Sequence, residues 1–80
     1  MIDAETQRPI RVHAEGTAGP YVMVPVTQLG AVQELLQRQG VYFWVDEDAI
    51  SLDGKPEIAV INFGANGRAD AIQRILDQQS

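Results

Sequence analysis

The sequence predicts an α+β domain, a two-layer sandwich in the order ββαβββα, with a mainly antiparallel sheet and two helices on one face. Three observations carry this reading. Residues 41–63 hold three short runs rich in β-branched and aromatic residues, parted by Asp46-Glu47-Asp48 and by Asp53-Gly54-Lys55-Pro56, which is the pattern of an antiparallel meander. Leu29, Val32, Leu35 and Leu36 recur at helical spacing, and so do Ile72, Ile75 and Leu76. One helix between sheet elements and one at the end suffice for a single sheet face, so the other face is expected to lie open.

The elements follow in order. Residues 1–9 read as a flexible N-terminal arm, and residues 10–80 as the single domain. Ile10, Val12 and Ala14 alternate with Arg11, His13 and Glu15, which predicts a half-buried first strand. Gly16 to Pro20 breaks it. A second strand over 21–26 sends Val22, Val24 and Val26 to one face and Tyr21 and Met23 to the other. Pro25 donates no ladder hydrogen bond and so belongs at a sheet edge or strand end.

Thr27 is the expected N-cap of a helix over 28–39. Gly40 suits its left-handed C-cap. Gly30, in the first turn, suggests a close approach of this helix to the sheet. Three strands follow, near 41–45, 49–52 and 57–63, with Asp53-Gly54 as the tight turn between the last two. Gly64-Ala65-Asn66-Gly67 ends the third, and a second helix spans about 69–78 with Asp70 near its positive end. The strongest core contributions are expected from Leu35, Leu36, Val60, Ile61, Ile72 and Leu76.

Composition bounds the function. Eighty residues make one domain, and 45% hydrophobic with 21% charged residues is ordinary for a folded one. Cysteine is absent, which rules out disulfides and thiolate metal sites. A net charge of −5 argues against general nucleic-acid binding, which needs a basic surface. No apolar run approaches the ~20 residues that span a bilayer, and residues 1–9 lack a signal-peptide core. The expectation is a soluble cytoplasmic protein.

Four places in the chain are candidate sites. His13 is the only histidine; with no cysteine, and with Ser51 and Ser80 outside any nucleophile-elbow context, it reads as an ordinary strand residue rather than a general base. Asp46, Glu47, Asp48 and Asp53 diverge from adjacent turn positions, so they do not predict a metal centre. They form a solvated acidic turn or a patch that steers a basic partner. Gly64, Asn66, Gly67 and Arg68 run from a strand end into a helix start and form a candidate anion or small-ligand loop. Tyr42 and Trp44 alternate with Val41, Phe43 and Val45, so they fall on the face without helices, where Tyr21 joins them. Uncovered apolar faces mark interfaces, and tyrosine and tryptophan are common interface anchors.

The sequence therefore points to a non-enzymatic protein-interaction module without cofactor or metal, a subunit, adaptor, regulator or inhibitor. It is expected to self-associate as a homodimer through the open face, with Tyr21, Tyr42, Trp44, Asp46, Glu47 and Asp48 meeting the partner. The alternative is a small-molecule or anion-sensing regulatory domain built on the Gly64–Gly67 loop.

Overall fold

The computed structural model describes residues 1–4, 6–14, 19–46 and 57–78. It is a small α+β fold with a three-stranded antiparallel open sheet and two helices. The elements are β1 (Tyr21–Pro25), α1 (Val26–Arg38), β2 (Trp44–Val45), β3 (Ile58–Asn62) and α2 (Ala69–Asp77). The strand order is β1-β3-β2, so β3 is central.

β1 shows why the sheet has two unlike faces. Val22 and Val24 are fully buried, while Met23 between them is exposed, as a period of two requires. β1 lies beside β3 alone among the strands, with Pro25 as its last residue, the placement that a residue without an N–H tolerates. The chain then enters α1 with no loop. The Val26 N–H donates to the Glu57 carbonyl at 3.0 Å. This bond satisfies an N–H that would otherwise have no partner at the helix start. The expected Thr27 cap is therefore not used: Pro25 is the N-cap, without a side-chain hydrogen bond, and Thr27 lies inside the helix.

The far end of α1 closes as expected. Gly40 takes φ +70°, and the Gly40 and Val41 N–H groups donate to the Gln37 and Leu36 carbonyls. These are the two bonds of a Schellman motif. Gly30 corrects another expectation: a Cβ placed there meets nothing within 4 Å, so it marks no close approach.

The expected first strand is reduced to one isolated bridge, in which His13 and Tyr21 exchange two hydrogen bonds of 2.8 Å. The reason lies in α2. The Gln73 side chain accepts from the Val12 N–H at 2.8 Å and donates to the Ile10 carbonyl at 3.1 Å. It thus takes backbone groups that a ladder would use. Glu15 lies outside the described residues.

β2 is shorter than the run at 41–45, and it pairs directly with β3, Trp44 opposite Asn62 and Val45 opposite Ile61. No strand lies between them, so the simple meander order does not hold. The expected strand at 49–52, the Asp53-Gly54 turn, Glu47 and Asp48 lie outside the described residues.

The core joins both helices to one sheet face. Val32, Leu35 and Leu36 of α1 and Ile72 and Leu76 of α2 cluster with Val22, Val24, Ala59, Ile61, Phe63 and Ile10. Val60, expected in this core, is only half-buried, because alternation with Ala59 and Ile61 sends it to the opposite face. Residues near the N-terminus are held by hydrogen bonds. The Gln28 side chain accepts from the Ala4 N–H and donates to the Ile2 carbonyl, both at 2.8 Å. The Met1 nitrogen donates to the Leu76 carbonyl.

Candidate interaction surface

The face of the sheet turned away from the core is built in rows. Cross-strand partners share a face, so Tyr21, Asn62 and Trp44 form one row. Met23 and Val60 form the next, and Ile58 stands in the third, where its partner Pro25 is fully buried. The Asp46 N–H donates to the Val60 carbonyl at 2.9 Å, which extends the second row to Asp46. Among the described residues neither helix lies over these rows. Tyr42 is 73% exposed, Trp44 44% and Met23 41%.

The aromatic side chains are already in contact. Tyr42 and Trp44 sit with ring centroids 5.8 Å apart at 55°. His13 stacks on Tyr21 at 5.1 Å and 20°. Phe43 and Val45 turn the other way and pack against the core with Val41. The sidedness expected for this run is thus the sidedness observed.

Charge is unequal across the face. Beside β1, Arg8, Arg11 and His13 line a hollow with Met23 and Ile58, and Asp3 shares it. On the β2 side stands Asp46, followed in sequence by Glu47 and Asp48. Among the described residues the β1 flank carries Arg8 and Arg11, and the β2 flank carries the carboxylate of Asp46.

The Gly64–Arg68 loop borders the same face. Gly64 takes φ +80°, and a Cβ there would lie 3.4 Å from the Trp44 ring. Glycine thus serves both the backbone and the seating of the indole. The Gly67 N–H donates to the Gly64 carbonyl at 3.0 Å, so the turn itself uses one of the donors an anion would need. Asn66, Gly67 and Arg68 line a cavity of ≈ 230 Å³ with Val41, Tyr42 and Ile75. Its walls are chiefly apolar. Arg68 stands at its edge, 77% exposed, with a 3.8 Å approach to Asp70.

The structure therefore brings Tyr21, Tyr42, Trp44 and Asp46 onto one face, and Asp46 keeps interactions of its own. It brings Asn66, Gly67 and Arg68 to a cavity that Tyr42 shares, while Gly64 lies under the indole instead. The sequence reading did not single out Arg8, Arg11 or Ile58 for this surface. Alternation could have found Ile58, and it sets Arg11 on the side of His13, but Arg8 reaches the hollow through a chain path that no period in the sequence fixes. Among the described residues no three His, Cys, Asp or Glu side chains converge as a metal site. None of the described helices is long and apolar enough to cross a membrane. Comparison of the chain with protein-family models, curated proteins and solved structures finds no match.

Proposed function

We propose that this chain is a non-enzymatic protein-interaction module of the cell interior that self-associates through its outer sheet face. It would act as a subunit, adaptor, regulator or inhibitor. The observation that carries the reading is Tyr21 and Trp44 on either side of Asn62 in one row, with Tyr42 against Trp44 and Met23 in the next row, on a face that neither helix covers. Two large aromatics held this exposed cost solvation free energy that burial against a partner would recover. Sedimentation of the purified chain tests it. Wild type should dimerise at about tens of micromolar, a range that catches interfaces of ordinary affinity. Trp44→Ser should shift it toward monomer with its circular dichroism unchanged. A wild type that remains monomeric throughout that range overturns self-association.

A second reading is favoured by the cavity at Asn66, Gly67 and Arg68. Apolar walls with one cation at the edge suit a small amphipathic carboxylate better than inorganic phosphate. A thermal-shift series with aliphatic and aromatic carboxylates should raise the melting temperature of wild type and not of Arg68→Ala. Equal shifts in both proteins would remove this reading.

A further inference from the structure

Resting on the self-association reading, we infer that the occupant of the outer face is a second copy of this chain, related by a two-fold axis that runs along the strands. Size and charge carry the argument. Two strands of five residues and one of two, spaced ~4.8 Å apart, present a strip of a few hundred Å² at most, short of the ~800 Å² per partner of an ordinary stable interface. The flanks of the strip must therefore enter the contact. On the β1 side that brings in Arg8 and Arg11, which line the hollow with Met23 and Ile58. On the β2 side it brings in Asp46, level with Met23 and Val60.

An isologous contact of two sheet faces has two limiting axes. With the axis across the strands, β1 lies over β1 of the second copy. Arginines then meet arginines, and Asp46 meets Asp46. With the axis along β3, β1 of each copy lies over β2 of the other. Arg8 and Arg11 then approach the acidic flank of the second copy twice per dimer, in register, because both flanks sit beside the same rows. Trp44 comes over Tyr21 of the second copy, aromatic on aromatic. Asp3 shares the basic hollow and lowers its contrast, but among the described residues that line it two arginines stand against one carboxylate. The same pairing explains how a chain of net charge −5 can meet itself: the repulsion is global, and the contact is locally complementary.

Charge exchange in the full chain tests the axis. Three variants are needed: R8E/R11E, D46R, and the combined R8E/R11E/D46R, each checked for a native circular dichroism spectrum and cooperative melting. Sedimentation equilibrium at low salt should show R8E/R11E and D46R each weakened by about tenfold or more, because like charges then face each other twice. The combined variant should regain dimerisation near the wild-type constant, and an equimolar mixture of the two parent variants should do the same. The gap between wild type and the parents should shrink in high salt. If wild type dimerises and the combined variant is as weak as its parents, or the parents match wild type, the axis is wrong while the open-face reading stands. A monomeric wild type overturns both. A wild type that stays monomeric but binds a basic protein assigns the face to that other occupant and also overturns the inference.

Discussion

Gly30 and Gly64 are the same residue type under opposite constraints. Gly30 is the fifth residue of α1, exposed, with nothing near its missing Cβ. It weakens the helix without a packing return, so Gly30→Ala should stabilise the fold by about 1 kcal/mol. For a domain this small that is a rise of roughly 4–8 °C in melting temperature. A fall instead would show that α1 approaches a neighbour there. Gly64 has φ +80° and the Trp44 ring above it. Gly64→Ala should destabilise by more than about 1 kcal/mol, since the backbone region is strained for any side chain. The emission of Trp44, the single tryptophan, should shift as its seat changes.

At the scale of elements, α2 is tied to the rest of the fold by polar as well as apolar contacts. Gln73 bridges the Ile10 carbonyl and the Val12 N–H, and its amide nitrogen also reaches Asp77 at 3.0 Å. Gln73→Ala should cost about 1–3 kcal/mol, because two partly buried backbone groups lose their partner. Gln73→Glu should not rescue it, because a carboxylate cannot donate to Ile10 and would face Asp77. Denaturant unfolding of the three proteins checks this, and equal midpoints would mean that water replaces the side chain freely. α1 is held by burial instead. Leu36 is fully buried, and Leu36→Ala should cost about 2–5 kcal/mol. That approaches the whole stability of a domain of this size. Melting within a degree or two of wild type would place Leu36 outside the core.

For the whole molecule, stability and assembly are expected to be linked. A chain of 80 residues without disulfides buries only about 60–65% of the surface its unfolded form exposes, so the proposed self-association would add to the stability of the folded state. The melting temperature of wild type should therefore rise with protein concentration, and that of Trp44→Ser should not. If the face meets a basic partner, replacing Asp46, Glu47 and Asp48 by Asn or Gln should slow that association at low salt and leave the fold intact, since exposed charges act mainly through screened long-range fields. Stopped-flow association rates at two ionic strengths check this. Rates unaltered by the substitution would reduce the acidic run to a solvated turn.

By itself the sequence determined several local facts: which two segments are helical, that Val22 and Val24 share the inner side of β1, and that Tyr42 and Trp44 share the side away from the core. These depend on periodicity, and periodicity is written in adjacent residues. Only the tertiary structure decided that β3 is central, that β2 pairs with it directly, and that residues 10–12 give their backbone groups to Gln73 rather than to a ladder. It also decided that Pro25 rather than Thr27 caps α1, because the Glu57 carbonyl, just before β3, reaches the Val26 N–H. The flank charge at Arg8 falls in the same class. In each case the deciding partner lies far away along the chain, and a hydrogen bond or a contact between distant segments leaves no period in the sequence to read.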